Sequence, residues 1–259
     1  MKIFRFERQG REAYGALDGE FLREVEGEIT GEFVLKEERI PLSRVKLLPP
    51  VKPSKIVCIA YNFPEHASEK GEEIPKEPVF FLKPPSSLIS HLEPVIFPGD
   101  VKSLLFQGEL GMVVGKRARN ISPEEAGNYI LGFTGVNDIT AVIEGSPLFR
   151  WGRAKAYDSF TPAGPCLLLS SGERSFKIKT FVNAKLRQSA STSRMKFSPT
   201  FVLSYLSKIM TLEPMDLICL GTPGGVGPLR PGDRVDVQIE GIGTLSNQII
   251  KEEDHENIP

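Results

Sequence analysis

Several features that would commit a chain to an unusual environment are scarce or missing. Cysteine occurs three times in 259 residues, and Cys58, Cys166 and Cys219 stand far apart, each among apolar neighbours. An odd, scattered set excludes a disulfide framework or a cysteine-rich zinc site and implies buried free thiols in a reducing compartment, so a cytoplasmic protein is expected. An excess of either charge is missing too: 32 basic and 33 acidic residues leave a formal net charge of −1. No global field therefore draws the chain to nucleic acid or to an anionic membrane. Met1–Phe6 does not read as a signal peptide, and no apolar run approaches membrane-spanning length. The locally basic set Lys177, Lys179, Lys185, Arg187, Arg194 and Lys196 lacks interleaved aromatics and reads as the solvated face of a hairpin. What remains is ordinary for a globular protein, with 40% hydrophobic and 25% charged residues, in a length that allows one large domain plus a small appendage.

Punctuation divides the chain. Residues 1–52 look like a small β-rich unit, with Asp18-Gly19 as a tight-turn signal and Pro49, Pro50 and Pro53 as a stiff boundary. Residues 53–250 carry the remaining strands and short helices, and 251–259 form an acidic tail expected to fray. Ser122-Pro123-Glu124-Glu125 is a helix start with a capping box. Residues 176–188 alternate like a hairpin about Asn183-Ala184, and Ser198-Pro199 opens a helix with Phe201, Tyr205 and Ile209 on one face.

The most informative stretch is Leu104–Gly115, short and mostly apolar, read as one buried strand whose single charge is Glu109. Alternation along a strand sends Gln107 and Glu109 to the same side. A buried carboxylate is costly unless paired, hydrogen-bonded or bound to metal, and an ion pair with Lys or Arg satisfies Glu109 as well as a cation does. Asp138 is a second isolated carboxylate, at the end of the apolar stretch Tyr129–Thr140.

Other candidates are weaker one by one. His66 and Glu69 lie three apart on a predicted short helix opened by Pro64, on one face, as a carboxylate-oriented base would, or as an incidental surface pair would. Lys83 ends an apolar strand before Pro84, at the mouth of a site or simply solvated. Lys155 sits among aromatics in a predicted loop over 151–160, where desolvation can tune an ammonium for proton transfer. Gly221–Gly227 follows a strand but lacks the Gly-Lys-Ser/Thr ending of a phosphate loop; its N–H groups and the Thr222 hydroxyl suit a carboxylate.

In order and spacing, these stretches resemble the fumarylacetoacetate hydrolase family. The resemblance rests on Ile59–Glu69, Phe81-Leu82-Lys83-Pro84, Phe106–Gly115, Asn137–Ala141, the Lys155 loop, Thr211–Pro214, Gly221–Gly227 and Arg230–Asp233. It implies an α+β fold, a β-rich fumarylacetoacetate hydrolase-like domain of mixed β-roll or sandwich form, in a homodimer. It also implies one Mg²⁺ or Mn²⁺ held by Gln107, Glu109 and Asp138, and a small keto-acid substrate. Catalysis would fall to His66, Glu69 and Lys155, and substrate binding to Asn62, Lys83, Thr222 and Gly225. The expected activity is hydrolytic cleavage of a C–C bond, or decarboxylation, in a 2-keto or 1,3-diketo acid; enol–keto isomerisation is the alternative. Three positions depart from the pattern: Gln107 replaces a Glu, Val142-Ile143 replaces an Arg-Asp pair, and no Arg precedes Asn62. Losing a ligand charge weakens a site for a hard cation. These departures keep open a second class of function, a member that has lost catalysis and kept a ligand-binding or structural role.

Overall fold

Ile56 and Cys58 pack into one apolar cluster while Val57 and Ile59 pack into another, so this strand is buried on both faces. Double-sided burial explains why it reads as a continuous apolar run instead of an alternating one. The structure, a computed structural model, describes residues 1–143, 150–171 and 174–255, apart from the side chains of Arg150 and His255.

The N-terminal strands are β1 (Lys2–Arg8), β2 (Arg11–Asp18), β3 (Phe21–Gly27), β4 (Phe33–Pro41) and β5 (Lys46–Leu48). Next come β6 (Ile56–Ala60), α1 (Pro64–Glu69), β7 (Val79–Lys83), β8 (Leu88–Ile89), β9 (Val95–Phe97), β10 (Ser103–Phe106) and β11 (Gly108–Val114). The middle holds α2 (Pro123–Ala126), β12 (Ile130–Asn137), β13 (Thr140–Val142), α3 (Arg150–Lys155) and β14 (Thr161–Leu169). The rest is β15 (Lys177–Val182), β16 (Lys185–Ser191), α4 (Pro199–Ile209), β17 (Leu217–Cys219), β18 (Gly227–Leu229), β19 (Arg234–Ile239), β20 (Gly243–Lys251) and α5 (Glu252–His255).

A 12-stranded sheet runs β4-β3-β2-β1-β14-β12-β11-β17-β6-β7, with β5 beside β1 and β8 beside β14. Three strands, β13-β10-β18, and five, β16-β15-β19-β20-β9, form two further sheets. This is the β-rich architecture expected, with short helices between strands. The N-terminal meander joins the large sheet, because Lys2 and Ile3 pair with Leu168 and Leu167. Asp18 pairs with Phe21 across a two-residue turn, and Asn183 and Ala184 both take positive φ at the tip of the β15–β16 hairpin. Ser122 and Glu125 cap α2 reciprocally, and the three cysteines are free and buried.

Four local expectations change. Leu104–Gly115 is not one strand: it breaks at Gln107, where the backbone N–H donates to Asn137 Oδ1 and the carbonyl accepts from Asp138 N–H. Those bonds to a bend let β10 leave for the three-stranded sheet while β11 stays in the large one. The first half of the predicted 151–160 loop is helical, as α3. On α4 the buried side is Val202, Leu203 and Leu206, and Phe201 and Ile209 are exposed. A helix apolar on several sides does not reveal by spacing which side meets the core. The tail is not frayed from 251 on: Lys251 completes β20 opposite Phe97, and Glu252 accepts a bond from Gly99 N–H. Residues 256–259 lie outside the described residues.

Candidate active site

The break at Gln107 opens a cavity of about 390 Å³ between β6, β7, α1, α3 and the β10–β11 and β12–β13 junctions. Gln107, Glu109, Asp138, His66, Lys155 and Thr222 all line it. Backbone chemistry positions them. Gly108, between Gln107 and Glu109, leaves no room for a side chain: a Cβ there would lie 2.0 Å from Thr180 Oγ1. Phe63 is extended, as a residue before proline must be, and Pro64 opens α1 so that His66 faces the cavity.

Asp138 is the electrostatic centre. Its Oδ1 accepts from Lys83 Nζ at 2.6 Å and its Oδ2 from Lys155 Nζ. Burial alone would push this carboxyl up, but Lys155 and Lys83 together hold it below its usual range. Gln107 is tied into the same group, donating from Nε2 to Thr140 Oγ1 at 3.1 Å and accepting from Lys155 Nζ at 3.3 Å. Lys155 also stands 5.0 Å from the centre of the Phe81 ring.

Glu109 differs. Its Oε2 accepts from Gly221 N–H at 2.8 Å, and among the described residues no bond to its Oε1 is present. Burial, reinforced by the charge on Asp138, pushes its carboxyl up to about 8. Protonated at neutral pH in the metal-free protein, it titrates where most carboxyls do not. The folded form then binds a proton more tightly than the unfolded chain does. The resulting stabilisation is complete below about 4.5 and is lost as pH rises through about 8. Metal-free protein should accordingly lose melting temperature over that window, and Glu109→Gln should flatten the curve. Parallel curves for the two proteins would remove Glu109 as the cause.

The His66–Glu69 pair is not formed. Both Glu69 oxygens accept from Gly225 N–H, at 3.0 and 2.9 Å, and His66 Nδ1 is buried without a partner. Glu69 is exposed at the end of α1, and the loop backbone offers it a donor that the His66 ring does not. Burial lowers the His66 imidazole to about 4, with Lys70 and Lys155 pushing the same way and Glu69 opposing. It is neutral at physiological pH.

Three expected substrate contacts also lie elsewhere. Lys83 is not at a mouth: its ammonium is buried beneath Asp138, also donating to Phe160 O at 2.7 Å. Asn62 is fully buried and bridges two segments, donating to Phe197 O and Leu220 O and accepting from Phe197 N–H. Gly225 gives its N–H to Glu69, and its positive φ, +96°, with Arg187 O only 2.2 Å from a would-be Cβ, excludes larger residues. Thr222 does line the cavity, but its hydroxyl donates to Gly108 O and accepts from Gln188 Nε2.

The residue-level reading missed Lys70 and an apolar wall of Phe81, Leu105 and Trp151, which Val142, already marked as a departure from the family pattern, completes. Lys70 follows Glu69 and lies four residues after His66, so helical spacing alone would have found it.

Among the described residues no three His, Cys, Asp or Glu side chains form a metal cluster, consistent with two carboxylates and an amide. No helix in that set is long and apolar enough to cross a membrane.

Comparison with known proteins agrees with the geometry. Residues 55–250 match the family model described as fumarylacetoacetate (FAA) hydrolase C-terminal, and residues 1–50 the model described as Rv2993c-like, N-terminal. Oxaloacetate tautomerase YisK of Bacillus subtilis is 44% identical over 80% of this chain and 74% of its own length. The crystal structure of 2-hydroxyhepta-2,4-diene-1,7-dioate isomerase from Mycobacterium marinum superposes with a TM-score of 0.89 at 33% identity, covering 97% of this chain and 99% of that one. Maleylpyruvate hydrolase from Sphingobium sp. SYK-6, in complex with manganese(II) and pyruvate, gives a TM-score of 0.78 at 27% identity over 97% and 99% of the two chains. With most of its length matched by the family model and its fold shared with these enzymes, the chain belongs to the fumarylacetoacetate hydrolase family.

Proposed function

We propose that this protein is a keto-acid-processing enzyme that forms an enolate from a small 2-keto or 1,3-diketo acid, leading to C–C hydrolysis or decarboxylation. The observation that carries the proposal is the convergence of Glu109, Asp138, Lys155 and His66 on one cavity. Tautomerisation is the second reading. It is favoured by the missing Glu69–His66 bond, since an imidazole near 4 is a weak activator of water, and by the named activity of the Bacillus relative.

A hard divalent cation suits the donors in kind. Gln107, Glu109 and Asp138 offer only oxygens, and two crowded carboxylates, one pushed up to about 8, are the environment a cation relieves. These three residues would hold Mg²⁺ or Mn²⁺, and the ion would supply Lewis-acid stabilisation to an enolate oxygen. The chain's own groups do the rest. Lys155, fixed by Asp138 and Gln107, presents its ammonium to negative charge developing on the substrate and can return a proton to carbon. An anionic substrate beside Lys70 and Lys155 offsets the two cations that depress His66, and so raises its basicity when a base is needed. Asp138 stays ionised throughout, clamped by Lys83. The cytoplasmic location and the homodimer expected of the family belong to this proposal.

Gln107→Glu restores a third carboxylate. It should tighten Mn²⁺ by about tenfold or more in calorimetric titration, since one added charge close to the ion outweighs the lost bond to Thr140. Equal affinities would mean that position 107 does not face the ion. The proposal as a whole is tested by assaying acylpyruvates and oxaloacetate with Mg²⁺ or Mn²⁺. Product pyruvate indicates hydrolysis or decarboxylation, enol loss indicates tautomerisation, and no turnover of any member contradicts the proposal.

A further inference from the structure

We propose that the cavity selects a keto acid with one carboxylate and an apolar substituent, Lys70 binding the carboxylate and Leu105, Val142 and Trp151 receiving the substituent. The inference rests on the keto-acid reading above and narrows it.

Charge placement is the first ground. Lys83 and Lys155 both bond to Asp138, so a ground-state carboxylate would compete with Asp138 for either. Lys70 lines the cavity, is exposed, and has no carboxylate partner among the described residues. Its field reaches the site, as its effect on His66 shows. One unmatched ammonium suits one carboxylate through a charge-assisted hydrogen bond.

The second ground is the rest of the wall. Val142 is 42% exposed and Trp151 37% exposed, both at the cavity, with the Trp151 ring 5.5 Å from that of Phe81. Large apolar side chains left open beside a polar centre are what a ligand's apolar part covers. A second carboxylate there would lose water and, among the described residues, gain no cationic partner, which is costly. Space is the third ground. A cavity of about 390 Å³ holds roughly a dozen water-sized volumes, more than a three-carbon keto acid fills. The relatives named for oxaloacetate or a heptadienedioate act on diacids, so this selectivity would set the chain apart from them.

The test has a kinetic arm and a binding arm. In the first, kcat/KM is measured for 2,4-diketo acids with alkyl ends from methyl to pentyl and for length-matched analogues ending in carboxylate. Wild type should gain about fourfold per methylene until the wall is covered, and should lose about tenfold or more when the end is a carboxylate. Val142→Arg should reverse the preference. Lys70→Met should raise KM about 10- to 100-fold for every substrate, and Lys70→Arg should restore most of it. Wild-type preference for the diacids, no response to Val142→Arg, or an unmoved KM in Lys70→Met would overturn the proposal. In the second arm, calorimetry compares 2-oxohexanoate with 2-oxoadipate, which need not react. Tighter binding of the monoacid supports the selectivity even if no keto acid is turned over, in which case only the enzymatic reading fails. Tighter binding of the diacid overturns the selectivity and leaves that reading standing.

Discussion

Lys83→Met should destabilise the protein by about 1–3 kcal/mol, the cost of leaving buried acceptors short of a donor while Lys155 still balances the Asp138 charge. For a chain of this size that is a fall in melting temperature on the order of 5 °C. The side chain is fully buried, and its ammonium joins Asp138 Oδ1, Phe160 O and, at 3.4 Å, Ile139 O; the substitution takes the donor from Asp138 Oδ1 and Ile139 O, while Phe160 O keeps the Ile139 N–H at 3.1 Å. Methionine fills most of the volume, so the loss is electrostatic and not a cavity effect. Adding Asp138→Asn should not recover the stability, because it leaves the buried Lys155 ammonium without its carboxylate, and activity should not return. The same pair predicts acid sensitivity in the wild type. Stability contributed by Asp138 is present above its ordinary value of 3.8 and is lost as pH falls through the lower folded value. Thermal unfolding of both variants checks this; a single-variant loss below about 1 kcal/mol would mean that Asp138 and Ile139 O do not depend on Lys83 for a donor.

His66→Ala should separate activity from stability. If the reaction is hydrolytic, removing the base should lower kcat by about 10²–10⁴-fold, with a smaller loss for decarboxylation or tautomerisation. Stability should hold or rise, because the buried Nδ1 has no partner and its removal relieves an unsatisfied polar group. The pH profile carries a second signature. In the free enzyme the imidazole titrates at about 4, so kcat/KM should lack the acid limb near 6.5 that an ordinary histidine gives. In the substrate complex the limb in kcat should move upward as bound anion offsets Lys70 and Lys155. Unchanged hydrolysis, or a rate that falls only in step with melting temperature, would take His66 out of the chemistry.

Much of the architecture is legible in the sequence because its determinants are local. The Ser122–Glu125 capping box, the Asn183-Ala184 turn and the doubly buried Ile56–Ala60 strand each need only neighbours in the chain. The two isolated carboxylates are also visible, since a charge inside an apolar stretch is conspicuous wherever its partner lies. Their partners are not. Lys83 is 55 residues from Asp138, and Gly225 is 156 from Glu69. Spacing places His66 and Glu69 on one helical face; it cannot show that a distant loop offers Glu69 a backbone N–H. The break at Gln107 is hidden for the same reason, because Asn137 and Asp138 supply its bonds from across the sheet. Asn62 looks like a substrate ligand in the motif and is instead a clamp between β6, α4 and β17, set by carbonyls that only the folded chain brings near.

The central claim is that this cavity makes an enolate from a 2-keto acid, whichever product follows. Proton NMR in D₂O, following loss of the C3 protons of pyruvate and 2-oxobutanoate with Mg²⁺ present, tests it without assuming a product. The account predicts exchange well above the buffer rate in wild type, falling about 10²-fold or more in Lys155→Met, because Lys155 is the ammonium aimed at the developing charge. Exchange no faster than buffer in the wild type, or equal in the two proteins, would contradict it.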